Sequence, residues 1–159
     1  MSEFSEPPTA APPAAPSARS GPASVSATRT GTRRYLGRNA RGSEVLIGPV
    51  DAPGHFTPGE LLKLALAGCA GMSSDRATAR RLGDDFASTV WAHGDSDPAE
   101  ERYFAIEEEM LLELGGLSDA EKQKLLAIIG RSIAASCTVA RSVGDSIELS
   151  TTVNGEPLH

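Results

Sequence analysis

Cysteine is scarce in this chain, with only Cys69 and Cys137 among 159 residues. Two thiols cannot build the dense cross-linking that staples small secreted domains. Their wide separation excludes a CxxC redox motif and a zinc ribbon, and adding the scattered His55 and His93 still leaves too few ligands for a metal site. Positive charge is also short: 15 Lys and Arg stand against 21 Asp and Glu, for a formal net charge of −6. A nucleic-acid binder would need a basic face to neutralise phosphates, so that partner class is excluded. No apolar run approaches the roughly 18 residues of a membrane span, which removes the membrane as a partner. There is no basic start followed by a continuous apolar stretch, so a secretory signal is not expected and the reading is cytoplasmic. No internal repeat is visible.

The opening segment lacks apolar bulk. Residues 1–28 hold six of the eleven prolines, and Met1, Phe4 and Val25 are nearly the only sizeable apolar side chains there. Such a stretch cannot bury enough surface to offset its ordering entropy. Residues 1–28 are therefore expected to be a disordered tail, and residues 29–159 a single domain.

Within that domain, Thr32 to Leu36 and Ser43 to Ile47 read as two strands joined by a turn-rich link, Gly37 to Gly42. Thr57, Pro58 and Glu60 form a helix start: an N-cap, a proline whose missing N–H costs nothing, and a capping-box carboxylate. The helix runs to Arg80 and Arg81, with Gly83 as its stop. Its first half is apolar nearly all round except for Lys63, so it must be covered on several sides. A second copy of the chain would supply that cover, which motivates a homodimer.

Residues 86–93 and 102–114 read as strands, although the run Glu107 to Glu109 leaves a helix as an alternative for the second. That acidic run is expected to form a solvated edge. Ser118 with Glu121 is a second capping box, opening a helix whose stripe is Leu125, Ile128, Ile129 and Ile133 and which Cys137 ends. Ser146 to Val153 closes the order β-β-α-β-β-α-β, an α+β mixture of largely antiparallel strands.

Both cysteines fall on faces that should be buried, where free cysteine is more often a small hydrophobe than a reactive group. Cys69 lies too deep in its helix for the N-terminal dipole to lower its pKa much. Activating it would require a cation from elsewhere, and spacing does not select one of the arginines. His93 and Trp91 read as strand-end and core or interface residues, and Arg141 as a surface ion-pair partner.

The segments TPGELLKLALAGCAGM (57–72) and SCTVARSV (136–143) together resemble the OsmC/Ohr family, which typically carries a Pro-Glu-Leu-Leu helix leading to its first cysteine and a Cys-Pro-Val-x-Arg-type segment at its second. The resemblance covers residues 31–155. It implies an OsmC-like fold, a mostly antiparallel sheet wrapped around two long central helices in an intertwined homodimer, and a thiol-dependent peroxidase with no cofactor. Cys69 would attack the hydroperoxide, Cys137 would resolve the sulfenic acid as a disulfide, and a lipoyl- or thioredoxin-type dithiol would reduce the pair. An N-terminal arginine would serve the thiolate, with Arg38 the best match and Arg33, Arg34 and Arg41 also open, and Glu60 would orient it. The chain departs from the family pattern in two places. Gly59 follows the proline, which shifts the glutamate by one, about 100° around the helix. Thr138 stands where proline is usual. These features place it nearer the OsmC-like branch. The competing reading is a non-peroxidatic member of the same fold, acting as a redox sensor or small-molecule binding module.

Overall fold

The computed structural model describes residues 12–159, so the first 11 residues of the expected tail lie outside it. The chain divides into two compact units at the Leu61/Leu62 bond.

The N-terminal unit carries a three-stranded antiparallel sheet of β1 (Val25–Gly31), β2 (Arg34–Asn39) and β3 (Glu44–Ile47), in that order. This corrects the two-strand reading. Val25 to Thr28, assigned to the tail, belong to β1, and Val25 pairs with Asn39 at the far end of β2. The expected link also begins too early. Gly37, Arg38 and Asn39 lie inside β2, and the reversal is made by Ala40 to Ser43. There Asn39 Oδ1 accepts from the N–H groups of Arg41 and Ser43, both at 3.0 Å. Gly37 is a strand glycine because a Cβ there would stand 2.8 Å from Val45 Cγ1 on the neighbouring strand.

Helix α1 (Pro58–Leu82) starts at the expected capping box. Glu60 Oε2 accepts from the Thr57 N–H at 2.7 Å, and the Glu60 N–H donates back to Thr57 Oγ1 at 3.2 Å. It stops at Gly83, whose φ of 92° suits glycine alone and whose N–H closes on the Ala79 carbonyl at 2.8 Å.

In the C-terminal unit, α1 is followed by β4 (Ser88–His93), β5 (Ala105–Leu112), α2 (Asp119–Ser136), α3 (Thr138–Val143), β6 (Glu148–Val153) and β7 (Glu156–Pro157). The strands form one sheet in the order β4-β5-β6-β7. β4 pairs antiparallel with β5, β6 parallel with β5, and β7 antiparallel with β6. The fold is thus α+β, with mostly antiparallel strands and one parallel junction. The Ser118–Glu121 capping box opens α2 as expected.

β5 is central in the sheet, and its side chains alternate between exposed or partly exposed and fully buried from Ala105 to Leu112. Ile106, Met110 and Leu112 point inward, and Met110 and Leu112 pack in the core with Leu125, Leu126, Ile129 and Ile133 of α2, Ala70 of α1, and Val153 of β6. The same alternation buries Glu108 at 2% exposure while Glu107 stays exposed and Glu109 half-exposed. The acidic run is therefore not one solvated edge: strand period sends its middle carboxylate into the interior.

Candidate functional site

Helix α1 carries Cys69 half-buried on its flank, and Cys137 sits fully buried where α2 gives way to α3. Cys137 closes α2 through its N–H to the Ile133 carbonyl at 2.9 Å, and its φ of −73° and ψ of 95° break the helical path. The chain re-enters helix at Thr138, with Cys137 standing before the first residue of α3. That break brings a cluster of donors to Cys69. The Thr138 hydroxyl lies 3.9 Å from Cys69 Sγ, and the Val139 N–H, the Ser73 hydroxyl and the Cys137 thiol are the other groups that act to lower its pKa.

These contacts separate the two thiols electrostatically. Burial is the largest single influence on Cys69 and pushes its pKa up. The hydrogen bonds from Cys137, Val139, Thr138 and Ser73 together outweigh burial, and the thiol ends below its ordinary value. Cys137 moves the opposite way. Burial, then its hydrogen bond to Cys69, then the charges of Cys69 and Glu108 push it up to about 11, against a lowering hydrogen bond from the Ala140 N–H. At neutral pH a thiol with that pKa is ionised in only about one molecule in 10⁴. Cys69 is thus the more readily ionised of the two thiols and Cys137 the one that keeps its proton. That arrangement can support nucleophilic attack from one sulfur and disulfide closure by the other.

Of the four residues expected at the site, only the cysteines are brought together within one unit. Arg38 and Glu60 belong to the N-terminal unit, and each is engaged there. Arg38 lies on β2, with its Nε 2.7 Å from Glu44 Oε1 and its Nη1 donating to the Pro12 carbonyl. The carboxylate that holds Arg38 is therefore Glu44. Glu60, expected to orient it, is turned to the Thr57 N–H by its place at the helix start. The influences that lower Cys69 come from neutral donors of its own unit.

Sequence reading missed Ser73, Thr138, Val139 and Glu108. Thr138 left a signal, as a hydroxyl residue in a place where the family pattern has proline. Glu108 left one too, since strand period places it on the same side as Ile106 and Met110. His93 ends β4 with its Nε2 3.4 Å from Glu109 Oε2 and its ring stacked on exposed Trp91, and Arg141 donates to the Ala135 carbonyl at 3.3 Å. Among the described residues, no group of three or more His, Cys, Asp and Glu side chains is placed to hold a metal ion. No helix among them is long and apolar enough to cross a membrane.

The family model described as OsmC-like protein matches residues 51–152. An uncharacterized protein of Mycobacterium tuberculosis is 53% identical over 128 residues, covering 80% of this chain and 90% of its own length, and a counterpart in Mycobacterium bovis matches equally. Among solved structures, an OsmC-like protein of unknown function from Vibrio cholerae superposes with a TM-score of 0.63 at 17% identity, covering 82% of this chain and 97% of that one. The organic hydroperoxide resistance protein OhrB of Bacillus subtilis gives 0.55 at 14% identity, covering 82% and 96%.

Proposed function

The chain belongs to the OsmC family, and on that premise we propose that it is a thiol-dependent peroxidase that reduces organic or hydrogen peroxide through Cys69. The observation that carries this reading is the unequal thiol pair: Cys69 lowered by four donors, with Cys137 hydrogen-bonded to it and held protonated. A buried structural cysteine has no use for such donors, whereas a nucleophile does.

In the first step the Cys69 thiolate attacks an oxygen of the hydroperoxide. The S–O bond forms, the O–O bond breaks, and the departing alkoxide takes a proton from solvent to leave as the alcohol. Cys69 is oxidised to the sulfenic acid. In the second step the Cys137 sulfur attacks Cys69 Sγ. The S–S bond forms, the S–O bond breaks, and hydroxide leaves with the Cys137 proton as water. A dithiol of the lipoyl or thioredoxin type returns the pair to thiols. Arg38 is the guanidinium assigned to polarising the peroxide, with Glu60 beside the start of the cysteine helix. Exposed Leu64 and Met72 on α1 favour a second copy of the chain as the helix's cover. The cytoplasm, where dithiol reductants operate, suits the cycle.

The test is a mass measurement after treatment with cumene hydroperoxide or hydrogen peroxide. The wild type is expected to lose the mass of two hydrogen atoms as the Cys69–Cys137 disulfide forms, and Cys137→Ser is expected to hold a dimedone-reactive sulfenic acid at Cys69. No adduct at Cys69 in Cys137→Ser refutes the peroxidase.

A further inference from the structure

Helix α2 ends without a cation of its own, since its last turn holds no basic residue. The final carbonyls of a helix have no intrahelical donor, and a cationic side chain nearby satisfies them and opposes the helix dipole. Here that side chain comes from across the break. Arg141 lies in α3, and its Nη1 donates to the Ala135 carbonyl of α2 at 3.3 Å. Its backbone N–H donates to the Cys137 carbonyl at 3.1 Å. One residue thus holds two carbonyls, one on each side of Ser136. Among the described residues Arg141 joins no ion pair, so its guanidinium serves this bridge rather than a surface carboxylate.

The identity of the bridged carbonyl matters. If α2 and α3 were one continuous helix, the Ala135 carbonyl would take the Val139 N–H, four residues on. The dihedral break at Cys137 prevents that, and Arg141 takes the vacated acceptor. The released first turn of α3 is the part of the chain that meets Cys69. Thr138 Oγ1 stands 3.9 Å from Cys69 Sγ, and the Thr138 carbonyl is fixed in turn by the Ser142 hydroxyl at 2.7 Å. The Val139 N–H is itself among the donors that lower the Cys69 pKa. An exposed arginine and a half-buried thiol are therefore joined through three consecutive contacts: guanidinium to Ala135, backbone break at Cys137, and first turn of α3 to Cys69.

We propose that Arg141 is a positioning residue for Cys69: by occupying the Ala135 carbonyl in place of the Val139 N–H, it holds the α2–α3 break and keeps the first turn of α3 at the Cys69 sulfur. Arg141 makes and breaks no bond in the reaction, and it acts through Thr138 and Val139. Without it the Ala135 carbonyl regains the Val139 N–H, α2 extends through the break, and the Thr138 hydroxyl is drawn off the sulfur.

This role rests on Cys69 being the nucleophile of the peroxidase reading, but its test uses no peroxide. The measurement is the pH profile of Cys69 alkylation by iodoacetamide in the reduced full-length protein, with a thermal melt of each variant. Arg141→Ala is expected to move the profile to higher pH and to cut the rate at pH 6–7 about fivefold, the effect of losing one donor to the thiolate. Arg141→Lys brings a cationic donor to the same carbonyl and is expected to stay within about twofold of the wild type. Should the alanine variant fail to fold, Arg141→Met keeps the aliphatic stem without the donor and is expected to give the same loss. The loss is expected to persist in 1 M NaCl, where the Debye length is about 3 Å and a distant charge no longer acts. An unmoved profile in a folded alanine or methionine variant overturns the proposal. A loss that vanishes in 1 M NaCl also overturns it, because charge rather than the held break would then be the cause. Both results leave the peroxidase standing, and a wild type inert to peroxide leaves the alkylation comparison intact.

Discussion

Replacing Cys137 by alanine removes more than a resolving thiol: it removes the foremost of the hydrogen bonds that lower Cys69. A hydrogen bond to an ionised group contributes about 1.5–3 kcal/mol, and the thiol is a weak donor, so about 1 kcal/mol is the fitting figure. That loss moves Cys69 back toward its ordinary value, and about 1 kcal/mol is a roughly fivefold change in its ionisation equilibrium. Below the midpoint the thiolate fraction, and with it the rate of alkylation, falls about fivefold. The other donors, Val139, Thr138 and Ser73, stay in place, so the effect is partial.

The assay is iodoacetamide alkylation at pH 6–7 under reducing conditions, read by mass. Cys137 is fully buried, so the modification reports on Cys69. Cys137→Ser retains a hydroxyl donor and is expected to stay within about twofold of the wild type, while Cys137→Ala drops about fivefold. Thermal melting of each variant separates this from loss of structure, since truncating a buried side chain by one atom costs on the order of 1 kcal/mol. Alkylation of Cys137→Ala at or above the wild-type rate would refute the reasoning, because Cys137 would then contribute nothing to the Cys69 thiolate.

Two further outcomes follow from the buried acid and from one glycine. The Glu108 carboxyl is raised in the folded protein, burial being the cause, so it contributes stability fully present below the unfolded carboxylate value, about 4.3, and lost as pH rises through its folded value. Urea midpoints of Glu108→Met and the wild type are therefore expected to draw apart in favour of the variant between pH 4.5 and pH 8, and a constant gap would contradict that. At Gly94 an added Cβ would stand 2.8 Å from the Ala105 carbonyl oxygen and 3.1 Å from Ile106 Cγ1. The Gly94 carbonyl itself takes Lys63 Nζ at 2.9 Å, so Gly94→Ala is expected to cost about 1–3 kcal/mol in urea unfolding, with a change under about 0.5 kcal/mol counting against it.

Signals confined to one turn of chain were legible in the sequence. Thr57 with Glu60 and Ser118 with Glu121 are capping boxes in both sequence and structure because the partners sit three residues apart and need no tertiary context. β1 was illegible for the opposite reason: Val25 to Gly31 offers little apolar alternation, and its place is fixed by backbone pairing with β2. Gly37 looked like a turn because the close approach of Val45, which requires glycine there, belongs to another strand.

The site divides along the same line. Cys69 and Cys137 were visible as a pair through the family pattern, whereas the source of Cys69's activation was not. Sequence logic looked for a cation, since no local feature suffices so far into a helix. Within the C-terminal unit the break at Cys137 supplies neutral donors that are 69 and 70 residues away in the chain, Thr138 and Val139. In this light Thr138 gains a meaning. Proline at that position would present neither a hydroxyl nor an N–H, while threonine places a hydroxyl 3.9 Å from the Cys69 sulfur. The departure from the usual motif thus adds a donor to the thiolate, and it is a reason to expect Cys69 to stay reactive.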